Sequence, residues 1–399
     1  MMFRGVPAVA RTSTTATTTR TRLHRVIANR TNFRSFSNSI PAAADEESSN
    51  FLSTGSGGHL RLGHSVEPIP YSSDIEISPV NYGANLGHKK VSVVGCGQVG
   101  MAIAYSVLNQ QSAGTIALVD MNREKLEGEA KDLEQGSAFH QQVRILASDE
   151  YSVSANSHMV VITAGAAQRP GESRLDLVER NVAIMQNIIP KVLTFSPNAS
   201  ICIVANPCDL MTAVAAKIAG PSVPAGRIFG SGTCLDSSRL RSLISKKLDL
   251  DTSAVGGYVI GEHGDTSVPV WSSVTVGGVP LLGHGQDPSK MHDDMHKEVV
   301  DSAYDVINKK GYTNWAVGLT GAHIAKTCLN DTRRIMPVST CVRGLKGIKE
   351  DVFISMPAAI GSTGVQRVID LPLTDKETEK FLHSADTIWD IQERVWDNL

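Results

Sequence analysis

With 399 residues, 41% hydrophobic and 20% charged, the chain is long enough for two or three structural units and close to the average composition of globular proteins. Lys and Arg (38) nearly balance Asp and Glu (40), a formal charge of −2 that excludes a general nucleic-acid binder built on basic excess. No apolar run reaches the ~18 residues of a membrane-spanning helix. The six cysteines (Cys96, Cys202, Cys208, Cys234, Cys328 and Cys341) form no C-x-x-C pair, which excludes a disulfide framework or a zinc site of that type.

Residues 1–44 contain seven arginines and no Lys, Asp or Glu, and residues 1–40 hold twelve Ser or Thr. An Arg-rich, hydroxyl-rich, acid-free N-terminus has the makeup of an organellar transit peptide, mitochondrial ahead of plastid. Arg34-Ser35-Phe36-Ser37 resembles a mitochondrial processing site. A basic tail that stays attached is the alternative, and would leave the protein in the cytoplasm. Removal of the seven positive charges takes the chain from −2 to −9. Residues 45–88 are rich in Gly, Ser and Pro and read as a linker or arm with no assigned fold.

From about Lys89 the pattern becomes regular. Val91–Val94 is a β-branched run that predicts a buried strand. It is followed by Gly95-Cys96-Gly97-Gln98-Val99-Gly100, then helical composition from Met101 to Leu108, then a second strand, Thr115–Val119, ending in Asp120. Strand, G-x-G-x-x-G loop, helix, strand and acid form the dinucleotide-binding fingerprint in its required context. Gly95 permits the tight turn, Gly97 lets the backbone approach a pyrophosphate, and Gly100 allows close packing. The helix N-terminus, with Gln98 and Val99, directs unsatisfied N–H groups at the phosphates. Asp120 accepts from a ribose diol and repels a 2′-phosphate, which favours NAD over NADP.

The alternation continues with a helix at 122–134, strands at 143–147 and 159–163, a helix at 175–193, and strands at 200–205 and 227–230. This predicts a Rossmann-type, doubly wound parallel sheet over residues 89–232. Ligands of such sheets sit beyond the C-terminal ends of the strands. That makes Thr163, Ala164 and Gly165, and then Asn206, at or just after those ends, the candidates for contacting the cofactor. Residues 233–399 change character: a helix at 235–248, a strand ending at Ile260, short β runs with Gly/Pro turns over 268–282, helices at about 289–309 and 313–329, strands at 334–343 and 351–356, and a C-terminal helix from about Thr374. They read as a mixed α+β second domain.

Polar motifs follow the strand ends: Ala164-Gly165-Ala166-Ala167-Gln168-Arg169-Pro170-Gly171-Glu172-Ser173-Arg174, then Asn206-Pro207-Cys208-Asp209, then Gly232-Thr233-Cys234-Leu235-Asp236-Ser237-Ser238-Arg239, then Gly261-Glu262-His263-Gly264-Asp265. In these ordered motifs the chain resembles the lactate/malate dehydrogenase family, and within it the L-lactate branch, over about three quarters of its length. The resemblance implies hydride transfer between NAD(H) and pyruvate or L-lactate, in a homotetramer or at least a dimer.

Reduction of a ketone requires a proton donor, and His263 suits that role because an unperturbed imidazole titrates near working pH. Asp236 is its natural orienting partner. Alone, one of twelve histidines would more often be structural. Arg239 shares a helix face with Asp236; the matching family arginine grips the substrate carboxylate bidentately. The matching residue for Arg174 sits on a lid and polarises the substrate carbonyl. That for Asn206 hydrogen-bonds near the substrate hydroxyl and the nicotinamide. That for Thr313 lines the substrate pocket, although Thr313 also suits an N-cap of the helix that follows.

Gln168 discriminates within the family. Malate dehydrogenases carry Arg six residues before the lid arginine, to pair a second carboxylate. A neutral Gln168 favours pyruvate, with Arg169 beside it read as facing solvent. Many members have Asn where Cys234 stands, and others an apolar residue. Members activated by fructose 1,6-bisphosphate use a His at the position of Gly256; Arg241 matches the Arg of that anion site, which is therefore incomplete here. Two other readings are a malate or bulkier 2-hydroxy-acid dehydrogenase and a catalytically idle NAD-binding structural protein.

Overall fold

The computed structural model describes residues 61–62, 89–140, 143–166, 174–283 and 285–396. The transit-peptide reading of 1–44, most of the arm at 45–88, and positions 168 and 169 lie outside the described residues.

After a two-residue strand, β1 (Arg61–Leu62), six strands run parallel: β2 (Lys90–Val94), β3 (Thr115–Val119), β4 (Arg144–Ser148), β5 (Met159–Ile162), β6 (Ser200–Ile203) and β7 (Ile228–Gly230). Their spatial order is β4-β3-β2-β5-β6-β7. The chain therefore builds outward from β2 in one direction, returns, and builds outward in the other. The crevice this leaves at the C-terminal ends of β2 and β5 is where such folds take a ligand.

The helices α1 (Gln98–Asn109), α2 (Arg123–Gln135), α3 (Arg174–Phe195) and α4 (Cys208–Ala219) connect these strands. Strands buried on both faces explain the near-continuous apolar runs in the sequence. Val91 and Val93 pack with Ile103 and Val107 of α1 on one face. Val94, Ile162 and Ile203 pack with Met185 and Ile189 of α3 and Met211 and Val214 of α4 on the other. Asn122 lies outside α2 and caps it, its side chain accepting from the Lys125 N–H.

The second half contains α5 (Cys234–Leu248), the short strands β8 (Val255–Gly256), β9 (Val259–Ile260), β10 (Val268–Pro269), β11 (Thr275–Val276) and β12 (Val279–Pro280), and helices α6 (Lys290–Lys310) and α7 (Trp315–Leu329). It closes with β13 (Arg334–Cys341), β14 (Phe353–Gly361), β15 (Gly364–Asp370) and α8 (Asp375–Trp396). β13, β14 and β15 form an antiparallel meander joined to β7 at Ser339 and Gly230, so one ten-stranded sheet runs through both halves. A Cβ on Gly230 would lie 2.9 Å from Ser339 Cβ and 2.4 Å from Thr212 Oγ1. Glycine is what lets this junction close.

Helix α7 packs directly on α1. A Cβ on Gly318 would meet Ala102 Cβ at 2.7 Å, and one on Gly321 would meet Ile103 Cδ1 at 2.7 Å. This contact fixes the start of α7, next to Thr313, relative to the helix that grows out of the glycine loop. All six cysteines are free. Burial pushes Cys96, Cys208, Cys234 and Cys328 up to about 12 and Cys341 up to about 11, and holds Cys202 well above its ordinary value.

The sequence reading assigned no element to α4, β15 or β1. Helix α4 is wedged between the sheet and its neighbours and is buried almost throughout, so it lacks the polar face that marks an amphipathic helix. β1, inside the segment given no fold, pairs antiparallel with β15.

Candidate active site

The glycine loop joins the C-terminal end of β2 to α1. Gly95 has φ +94°, and a Cβ there would stand 2.4 Å from the Ala164 nitrogen. Gly100 would drive a Cβ to 1.9 Å from the Gly95 oxygen and 2.8 Å from Thr163 Oγ1. Thr163 completes this close packing by donating its hydroxyl to the Gly95 carbonyl at 2.5 Å. Gly97 differs: a Cβ there has nothing within 4 Å, and both Gly97 and Gln98 are exposed. Gly97 caps α1 without a side-chain hydrogen bond. The uncapped N-terminus of α1 thus begins at an exposed, unobstructed Gly97 and Gln98, which leaves room for an anion at its N–H groups.

Asp120 sits just past β3. Its Oδ2 accepts the Cys96 N–H at 2.6 Å and its Oδ1 accepts the Asn122 N–H at 2.9 Å. Two backbone donors therefore aim one carboxylate beside the glycine loop. The residues present fit a dinucleotide.

On the other side of the crevice, three predicted residues meet. Asp236 and Arg239 lie on the first turns of α5, and His263 lies just after β9. His263 Nδ1 is 2.6 Å from Asp236 Oδ2, and Arg239 donates through Nη1 to Asp236 Oδ1 at 2.8 Å. The Asp236 carboxylate is buried, whereas the His263 side chain retains 28% of its exposure. The Asp236 charge raises His263 to about 9, against the opposing effect of burial. Burial disfavours the charged form of Asp236, but the His263 ring and the Arg239 guanidinium outweigh it and hold the carboxyl below its ordinary range. With Nδ1 engaged, Nε2 is the nitrogen left to hold a proton for a ligand. The i,i+3 pair of an ordinary helix salt bridge is formed, and it uses Arg239 Nη1.

Two family models match the chain: the lactate/malate dehydrogenase NAD-binding domain over residues 89–230, and the lactate/malate dehydrogenase alpha/beta C-terminal domain over 233–398. The chain belongs to the lactate/malate dehydrogenase family. It is 49% identical over 313 residues to the L-lactate dehydrogenase A chain of Columba livia, covering 77% of this chain and 94% of that protein. It is 47% identical over 327 residues to the L-lactate dehydrogenase B chain of Anguilla rostrata, covering 80% and 97%.

The other predicted positions lie at the ends of the elements that the sequence reading expected. Arg174 opens α3, directly after the segment that contains Gln168. Ala164 and Gly165 follow β5, and Asn206 follows β6 with its backbone oxygen accepting from Asn181 Nδ2 at 3.0 Å. Thr313 is half-buried at the turn between α6 and α7, and there the expectation needs correction: α7 begins at Trp315 and Asn314 is its N-cap, so Thr313 does not cap the helix.

Three buried polar residues had no role assigned from sequence. Asn181 of α3 accepts the Ala166 N–H at 2.7 Å while donating to Asn206, tying together the loops after β5 and β6. Asp209 of α4 accepts the His263 backbone N–H at 2.7 Å through Oδ2, and burial raises it to about 6. Ser384 of α8 accepts the Glu262 N–H at 2.8 Å. Each acts on backbone, so its partner cannot be read from its neighbours in sequence. The one available signal is Asp209, the single acid in the otherwise apolar start of α4.

Proposed function

We propose that this family member is an NAD-dependent L-lactate dehydrogenase that interconverts pyruvate and L-lactate. The observation that carries the reading is the Asp236 carboxylate, which holds both a proton-donating imidazole and a guanidinium suited to a carboxylate substrate. That pairing equally disfavours an idle binding protein, which has no use for a charged imidazole at the mouth of a crevice.

The chemistry that NADH supplies when bound is hydride donation to the substrate carbonyl carbon. The chain supplies the rest. Arg239 turns its guanidinium to the pyruvate carboxylate, a planar match. His263, charged through Asp236, donates the Nε2 proton to the oxygen that becomes the lactate hydroxyl. In lactate oxidation the same nitrogen takes the proton back. Arg174 polarises the carbonyl and Asn206 orients it; both roles follow the family pattern. Thr313 lines the space beside the substrate methyl.

Gln168 and the names of the relatives support pyruvate over oxaloacetate. A neutral amide offers no counter-charge to a second carboxylate, and an unpaired buried charge costs several kcal/mol. Rates with both substrates on wild type, Gln168→Arg and Arg169→Ala test this. Gln168→Arg is expected to raise the oxaloacetate-to-pyruvate ratio of kcat/KM by about a hundredfold or more. A wild type that prefers oxaloacetate and loses that preference in Arg169→Ala moves the assignment to malate.

Residues 89–232 then form the NAD-binding domain and 233–399 the substrate domain. The composition of residues 1–44 supports import into the mitochondrial matrix, which a fusion of that segment to a fluorescent protein checks. Assembly into a homotetramer is supported by large apolar side chains exposed around α2 and α7: Met121 and Phe139 are more than 90% exposed, and Trp315 and Leu319 more than half. Light scattering on the purified protein reads the mass directly.

A further inference from the structure

The strand-end loop that carries His263 is held by its backbone. Gly261 exchanges two hydrogen bonds with Ser355 of β14: its N–H donates to the Ser355 oxygen at 2.9 Å, and the Ser355 N–H donates to its oxygen at 2.8 Å. The next N–H, of Glu262, donates to Ser384 Oγ at 2.8 Å, and the next, of His263, donates to Asp209 Oδ2 at 2.7 Å. Three successive peptide groups are thus fixed from three different elements. Two of the anchors, Ser384 and Asp209, are buried side chains.

Ser384 has no exposed surface. Its hydroxyl is 3.0 Å from that of Thr266, which donates to Glu262 Oε2 at 2.5 Å. Glu262 also accepts the Thr266 N–H at 3.1 Å, closing the loop on itself around Ser384. Gly261 makes room for this: it has φ +82°, and a Cβ there would lie 2.8 Å from Ser384 Oγ. Phe381, Ala385 and Ile388 bury α8 in the core on either side, so the serine is delivered by a rigid helix.

We propose that Ser384, near the C-terminal end of the chain, is a positioning residue for His263. The proposal rests on His263 as the proton donor. Loss of the hydroxyl leaves the Glu262 N–H buried without an acceptor, and such a group moves toward whatever polar atom it can reach. Any tilt of the Glu262–His263 peptide is passed to the imidazole, whose contact with Asp236 depends on direction as well as distance. Small misplacements of reacting groups cost up to about 10²-fold in rate.

Ser384→Ala is therefore expected to lower kcat about tenfold or more. It should also shift the alkaline limb of the pyruvate pH profile downward, toward the unpaired imidazole, and leave KM for NADH unchanged. Ala385→Gly, which loosens the same helix without touching Glu262, should leave the limb in place. A Ser384→Ala enzyme with wild-type kcat and limb overturns the proposal, as does an equal shift in Ala385→Gly. If Ser384→Ala does not fold, Ser384→Cys, whose sulfur accepts the Glu262 N–H only weakly, decides by the same profile: a downward shift supports positioning and an unmoved limb overturns it. His263→Gln separates the two levels. If that variant turns over normally the proton-donor reading itself fails; if it is inactive while Ser384→Ala matches wild type, only the positioning role fails.

Discussion

Asp236 Oδ2 stands 2.6 Å from His263 Nδ1, and the two residues arrive from separate elements, the first turn of α5 and the loop after β9. The attraction between them raises His263 to about 9. With His263 as the proposed proton donor, pyruvate reduction needs the charged imidazole, so kcat/KM for pyruvate should be level through neutral pH and fall about tenfold per unit above about 9. Lactate oxidation uses the neutral ring and should climb over the same range. An inflection near the unperturbed value of about 6.5 in both directions would show that the pair does not set the proton affinity. Stability follows the same linkage. Because the folded value lies above the unfolded one, the contribution of the pair is complete below about 6.5. It is lost as pH rises through about 9, where Tm should decline.

One carboxylate serving two cations makes a kinetic signature. Asp236→Asn removes the charge that favours imidazolium and the partner that aims Arg239. It should lower kcat by about 10² or more and also raise KM for pyruvate. His263→Gln should lower kcat similarly with KM for pyruvate little changed, since Arg239 keeps Asp236 Oδ1. Steady-state kinetics on the two variants distinguish a shared carboxylate from one that serves the histidine alone, for which both would behave alike.

The glycines of the cofactor loop should separate folding from binding. Gly97→Ala places its methyl where nothing lies within 4 Å, so Tm without cofactor should match wild type, while NADH binding weakens by about tenfold or more as the methyl occupies the path of the phosphates. Gly100→Ala meets the Gly95 oxygen at 1.9 Å, and should lower Tm before any ligand is added. Thermal melts and NADH fluorescence titrations on both variants check the pair. Equal melting losses would mean that Gly97 is also a packing residue.

What could be read from the sequence was whatever the sheet and the ligand chemistry constrain together. Val91–Val94, the glycine loop and Asp120 follow from the needs of a buried parallel strand and a pyrophosphate, and β2, α1 and β3 stand where expected. His263, Asp236 and Arg239 were legible because their neighbours carry turn and helix signals that fix their relative placement. Helix α4 was not, because its surroundings on both sides are apolar and erase the 3.6-residue alternation. Asn181, Asp209 and Ser384 were not, because the backbone groups they hold come from residues up to 122 positions away, and one sequence carries no record of that proximity. The alternative of Thr313 as an N-cap does not hold, because α7 starts at Trp315 and Asn314 takes the cap position.

The six buried or half-buried thiols carry a consequence for handling the protein under oxidising conditions. The thiolate, not the thiol, attacks alkylating agents and peroxides. A group held at about 12 is ionised to only about one part in 10⁵ at neutral pH, and Cys341 at about 11 to about one part in 10⁴. The described chain therefore offers oxidants no activated sulfur, even though Cys208 and Cys234 stand beside the crevice, at the first turns of α4 and α5. Iodoacetamide or hydrogen peroxide at neutral pH should leave turnover intact over the life of an assay without added reductant, and the sulfur in this protein serves as dense apolar filling.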